Sequence, residues 1–395
     1  MASSSFSFFQ ILSATTTLLL LLEAHQASSC FSAIFSFGDS LQDTGNFAHT
    51  FFNTAISNRP YGTTYFHKAT GRYCDGRVIL DFIAESLGLP FVPPFLAGGD
   101  FSKGANFAFG GAVAVKSNPN WNHTLPDQIE WFKKFVQTDP LFRDPNFLAN
   151  SLIMMGEIGG NDYNSGLSKR LPYNQLIQIV PPVVQAIGSA ITTLIGLGAK
   201  TFVVPGNLPI GCIPAWLGQY RSNKPSDYDK NGCLIWLNNF SEYQNNHLQT
   251  ELDRLKGQFP HVTIAYADYL NSGIRMFSNQ AQFGITVPFT GCCGGNGYPC
   301  NATGPIIFQR VPASANGRQW APATANSRQL PAGDCTYHRR LAAGCWRLCR
   351  PPVGGCAGRQ QLAAVSVIVG LSNCVARQQV VLAAMSNLSF IVIIF

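Results

Sequence analysis

The sequence predicts an α/β fold built on a parallel sheet. Three observations point there. Short apolar runs recur and stop at glycine or Pro-Gly, segments with helical spacing separate them, and the intervening lengths suit right-handed crossovers. In chain order, residues 33–37 form the first apolar run, which closes on Gly38 and reads as a buried strand feeding a turn. Residues 78–87 carry helical spacing, with Gly88 as a natural stop. Residues 151–155 make a second strand ending in glycine, and a helix over 183–197 follows the Pro181-Pro182 entry. Residues 200–204 form a third strand closed by Pro205-Gly206. A long polar-faced helix over 234–255 then leads to a fourth strand over 262–266. Ligands of such sheets gather beyond the carboxyl ends of the strands. Two of the glycine-bearing motifs quoted below, the first and the third, sit at such ends, so they are read as one site. There is no internal repeat.

A length of 395 residues suits one α/β domain with insertions. With 46% apolar and 12% charged residues, a large core can form, and wholesale disorder is excluded. The net charge of +7 is local: from Val311 onward there are eight arginines, one acid (Asp334) and no lysine. The preceding residues are formally neutral, which excludes a nucleic-acid groove. An apolar run over 11–22, followed by Ala27-Ser28-Ser29, predicts a signal peptide over 1–29, although no Lys or Arg precedes it. The run is too short for a stable membrane span. All twelve cysteines lie at or after Cys30, and sequons stand at Asn122, Asn239, Asn301 and Asn387. Both features agree with secretion into an oxidising compartment. Near Gln309 the composition turns to Ala, Gly, Pro, Arg and Cys without periodicity. The expected organisation is therefore a domain over 30–308 and a divergent tail, disordered or frame-shifted, over 309–395.

A serine hydroxyl becomes a nucleophile only with a base in reach, a group orienting that base, and donors for the oxyanion. Ser40, in Gly38-Asp39-Ser40-Leu41, lies just past the first strand, where a helix is expected to start at Leu41. The helix amino terminus would favour developing negative charge. A plain helix cap is the competing reading. Other chemistries lack their motifs: there is no Gly-x-Ser-x-Gly elbow, phosphate loop or Cys-x2-Cys pair. Cys345 and Cys349 read as oxidisable tail thiols, while Cys212 with Cys233 and Cys293 with Cys300 are the pairings put forward for disulfides.

The segment Phe37-Gly-Asp-Ser-Leu-Gln-Asp-Thr-Gly-Asn46 resembles the first block of the plant GDSL esterase/lipase family, a branch of the SGNH hydrolases. Gly104-Ala-Asn-Phe-Ala-Phe-Gly-Gly-Ala112 is similar to the second block, and Gly156-Glu-Ile-Gly-Gly-Asn-Asp162 to the third. The proline-rich run over 203–214 and Cys292-Cys-Gly-Gly295 also have counterparts there. The likeness extends from about Phe31 to Cys300, with the blocks in the family's order. It implies an SGNH/flavodoxin-like three-layer α/β/α sandwich with a parallel sheet of about five strands. It also implies that Ser40 is the nucleophile and that its own N–H is one oxyanion donor. A second N–H comes from Gly111, with Gly110 the close competitor, and Asn161 supplies a third donor through its amide. Each such donor is worth about 3 kcal/mol in the transition state. The competing reading is turn geometry for the two glycines and for Asn161. Asp43 and Asn46 are expected to hold the turn after the serine.

The family completes its site with Asp-x-x-His near the carboxyl end. This chain instead has Asp334 and His338 with one residue too many between them, and their flanks differ. Three readings follow. Asp334 and His338 still orient and deprotonate Ser40; or the tail is foreign sequence and leaves no base; or the protein is a secreted glycoprotein that binds acyl or sugar esters without turnover. The first makes the chain a secreted, monomeric hydrolase of lipid or carbohydrate esters, acting without metal or cofactor on a small-molecule or polymer ester. In a plant it would reside in the cell wall or apoplast.

Overall fold

Strand β1 (Ile34–Phe37) is buried at every residue, as is β3 (Leu152–Met155), the pattern of strands covered on both faces. Between them in sequence runs β2 (Gly104–Asn106), and β4 (Thr201–Pro205) and β5 (Thr263–Ala267) complete the set. All neighbours pair in parallel, in the order β2-β1-β3-β4-β5. The structure, a computed structural model, describes residues 30–283 apart from 60, 118–120 and 122, together with 285 and 289. The helices that matter to the site are α1 (Asn46–Thr50), α2 (Ile79–Ser86), α3 (Leu125–Thr138), α4 (Gly160–Ser168), α5 (Val180–Gly196), α6 (Ile235–Gln258) and α7 (Tyr269–Ser278).

Alternation along the strands builds two cores. Phe35, Phe37, Ile153, Met155, Phe202 and Val204 face α3, α5 and α6. Ile34, Leu152, Met154 and Val203 face α2 and Tyr269 of α7. The result is the expected three-layer α/β/α sandwich. Phe132 of α3 packs its ring 5.2, 5.4 and 5.3 Å from those of Phe35, Phe37 and Phe107. Burying one such ring stabilises by roughly 2–3 kcal/mol. Residues Tyr173–Gly196 are long and apolar enough to cross a membrane, yet Val183, Ile187, Ile191 and Leu194 within them are core residues.

Three expectations need correction. The periodicity marks four of the five strands and misses β2, whose Gly-Ala-Asn carries no apolar run. Its identity comes from register: Gly104 pairs with Ile34, and a Cβ there would lie 1.8 Å from the Ile34 carbonyl oxygen. The helix expected at Leu41 is also absent. Gln42 and Asp43 N–H instead close a turn on the Asp39 carbonyl at 3.1 and 3.0 Å, and α1 begins only at Asn46. Asp43 captures the N–H groups of Gly45, Asn46 and Phe47, which fixes the helix start there. Ser40 therefore gains nothing from the dipole of α1, which begins six residues later and whose effect fades within a turn. In α5 the prolines fall in the first turn rather than ahead of the helix.

The Cys212–Cys233 disulfide is present and ties the turn after β4 to the chain entering α6, across a separation of 21 residues. A loop of that length contributes about 3 kcal/mol through the unfolded state. The Cys293–Cys300 pairing, the signal segment 1–29, the tail 309–395 and the sequons at Asn122, Asn301 and Asn387 lie outside the described residues. Asn239 is exposed on α6.

Candidate active site

The three glycine-bearing blocks leave the carboxyl ends of three adjacent strands, β2, β1 and β3. Hydrogen bonds then lock the loops to one another. Phe109 N–H donates to the Gly38 carbonyl at 3.1 Å, and Asp39 N–H to the Glu157 carbonyl at 3.1 Å. Gln128 of α3 grips Gly38 from both sides, accepting its N–H at 2.9 Å and donating to its carbonyl at 2.8 Å. The turn carrying Ser40 is thereby stitched to the second and third blocks.

Asp43 and Asn46 hold this arrangement from below, as the sequence suggests. The Asp43 carboxylate accepts from Gly45, Asn46 and Phe47 N–H and, across the sheet end, from Gly110 N–H at 2.8 Å. Asn46 donates to the carbonyls of Asn106 and Ala108 at 2.7 and 2.8 Å. Asn106, unremarked in the sequence, returns the grip by donating to Gln42 O at 2.6 Å and Thr44 Oγ1 at 3.0 Å. Asp162 accepts from Ala114 and Val115 N–H, at 2.8 and 3.1 Å, so the third block also holds the loop after the second.

Around Ser40 the bookkeeping of N–H groups is informative. The N–H groups on either side of Ser40 are engaged, Asp39 N–H by Glu157 O and Leu41 N–H by Asp39 Oδ1 at 2.9 Å. Those flanking Gly111 are spent as well, Gly110 on Asp43 and Ala112 on Phe109 O at 2.9 Å. Ser40 N–H and Gly111 N–H themselves have no acceptor among the described residues. Gly111 sits at φ 82°, a left-handed conformation that glycine adopts without strain. Asn161, in the first turn of α4, donates its amide to Asp39 Oδ2 at 3.2 Å and to Ala112 O at 2.9 Å. The structure therefore gathers Ser40, Gly111 and Asn161 at one sheet end. Asp334 and His338 lie outside the described residues.

Residues 34–311 match the GDSL-like Lipase/Acylhydrolase family. The chain is similar to the GDSL esterase/lipase At1g28600 of Arabidopsis thaliana, 46% identical over 299 residues, 69% of this chain and 74% of the relative. It is likewise similar to At1g28570 of the same plant, 44% identical over 317 residues, 75% of this chain and 80% of that protein. The chain belongs to the GDSL lipase/acylhydrolase family. It is accordingly a carboxylic ester hydrolase.

This GDSL hydrolase keeps several carboxyl groups beneath the serine turn. Burial lifts Asp39, Asp43 and Asp162 each to about 6, and the Asp43 shift prevails against four N–H donors. Burial first, and then the Asp39 charge, raises Glu157 well above the usual carboxylate range. Sequence reasoning missed Glu157, because one glutamate between glycine and isoleucine reads as a solvated loop residue. The available signal was its position between a buried strand and a glycine-opened helix. A raised carboxyl means the folded chain holds protons that the unfolded chain has already released. Its contribution to stability is full below the unfolded value near 3.8 and is lost as pH rises through about 6. The thermal midpoint of this domain is thus expected to rise from neutral pH to about pH 5, measurable by calorimetry.

An aromatic wall flanks the second block. Phe109 stacks on His123 at 3.9 Å, with Phe47 and Phe51 5.6 and 6.1 Å away. A groove of about 890 Å³ between α5 and α6, past Gln185, His247 and Glu251, shares no residue with this site.

Proposed function

We propose that this GDSL hydrolase cleaves acyl esters of lipids or carbohydrates through an acyl-Ser40 intermediate. The observation that carries the reading is the pair of unspent N–H groups, on Ser40 and Gly111, in loops where the adjacent N–H groups are all engaged. Ser40 Oγ, half-buried and without a partner among the described residues, attacks the ester carbonyl carbon. The carbonyl oxygen becomes an oxyanion between these N–H groups. The engagement of Gly110 by Asp43 favours Gly111 over its neighbour as the second donor. Asn161 supplies the third with the hydrogen that now rests on Ala112 O, since donors of this kind tighten when the substrate arrives. His338, oriented by Asp334, takes the hydroxyl proton and passes it to the departing alcohol. Water then releases the acid along the same route.

In this reading residues 1–29 are removed on secretion, residues 30–308 are the hydrolase domain, and the tail from 309 supplies the base. The enzyme works as a monomer in the cell wall or apoplast on a small or polymeric ester. The tail assignment has its own test. His338→Ala is expected to cut turnover of a p-nitrophenyl acyl ester by at least about a thousandfold with the fold intact, and Asp334→Ala by less. Turnover unchanged in His338→Ala would remove the proposed base. Ester binding without turnover in the native chain would establish a binding role instead.

A further inference from the structure

Glu157 follows β3 and is buried, yet no step above uses it. Its carboxyl sits over the start of α4, where a Cβ on Gly160 would stand 3.2 Å from both of its oxygens. The same carboxyl meets that of Asp39, a residue equally buried whose backbone N–H donates to the Glu157 carbonyl at 3.1 Å. Two buried carboxyls in such contact cannot both ionise, so a proton lies between them. Among the described residues no three His, Cys, Asp or Glu side chains are arranged to hold a metal ion that could take its place.

The partners decide which member carries the proton. Asp39 accepts two further bonds, from Leu41 N–H at 2.9 Å and Asn161 Nδ2 at 3.2 Å, so it is the anion and Glu157 the acid that donates to it. The other titratable groups pressing on the pair are Asp162 and Asp43, and the phenols of Tyr163 and Tyr269 feel Glu157 in turn. Those neighbours are acids and phenols, and they reinforce retention of the proton.

We propose that Glu157 is a positioning residue for ester hydrolysis: as a carboxylic acid it clamps the Asp39 carboxylate, which holds both the Ser40–Leu41 turn and the Asn161 amide in place. Among the described residues, Asp39 is the one side chain hydrogen-bonded to side chains of the third block from the nucleophile's turn, and Glu157 fixes it. This role rests on the acyl-serine reading above, but the shared proton does not.

Glutamine keeps the donor and cannot ionise, whereas leucine keeps neither property. Glu157→Gln is expected to hold kcat within about threefold at neutral pH and to stay active at alkaline pH, where the native enzyme declines as Glu157 ionises. Glu157→Leu is expected to lose roughly ten- to a hundredfold in kcat with KM little changed, as when an oxyanion donor is misplaced. Infrared difference spectra of the native chain should show a protonated carboxylic acid near neutral pH, and Glu157→Gln should lack it. If glutamine proves as damaging as leucine, or if the native band is missing, the proposal is overturned. Should Glu157→Leu not fold, the glutamine pH profile and the infrared band still decide. A native chain that keeps the band but turns over no ester would overturn the acyl-serine reading and leave the proton pair standing.

Discussion

Ser40→Ala is expected to lower turnover of a p-nitrophenyl acyl ester by about a millionfold, close to the effect of removing a whole serine triad. The loss should fall on kcat. Ser40 N–H survives the substitution, as do Gly111 and Asn161, so substrate still binds and the oxyanion donors remain. Stability should hardly move, by less than about 0.5 kcal/mol, because the hydroxyl is half-buried and holds no partner among the described residues. Activity lost together with stability would mean that the side chain serves the fold. The informative result is an inactive protein with a native melting curve.

The second large effect falls on stability. Asp43 is fully buried, and its carboxylate gathers four N–H groups from Gly45, Asn46, Phe47 and Gly110. Asp43→Ala strands all four, and each buried donor without an acceptor costs about 1–3 kcal/mol unless water reaches it. The expected loss is at least about 4 kcal/mol, most of the stability of a domain at the lower end of the ordinary range. Asp43→Asn keeps one acceptor oxygen and should retain about half of the difference. Urea denaturation measures both. The asparagine variant should also lose activity beyond its fraction unfolded, because Gly110 is held by this carboxylate and its neighbour Gly111 is a proposed donor. An Asp43→Ala protein as stable as the native chain would show that these N–H groups find other acceptors.

Much of the scaffold was legible because parallel strands buried on both faces must be apolar and must stop where the chain turns. Residues 33–37 and 151–155 follow that rule closely, 200–204 and 262–266 follow it less fully because Lys200 and Thr263 are exposed, and each run overlaps a strand. The Gly104–Asn106 strand does not, since its place beside β1 depends on the missing side chain of Gly104 and on no apolar run. The helix expected at Leu41 failed for a local reason: Asp43, three residues after Ser40, competes for the N–H groups that a helix would order. At the site, Ser40, Gly111 and Asn161 could be placed together because ordered blocks carry them. Glu157, Asn106 and Gln128 could not, because each acts on a partner from another block, and no spacing in the chain announces such contacts. Periodicity reports burial, not who meets whom.

Covalent labelling tests the arrangement most directly. A fluorophosphonate reacts with a serine only when a base and an oxyanion site serve that one hydroxyl. Incubated with the native chain and mapped by peptide mass spectrometry, it is expected to mark Ser40 alone, and the mark should vanish in Ser40→Ala. Ester hydrolysis that persists while Ser40 stays unmodified, or a label carried by another serine, would contradict the account.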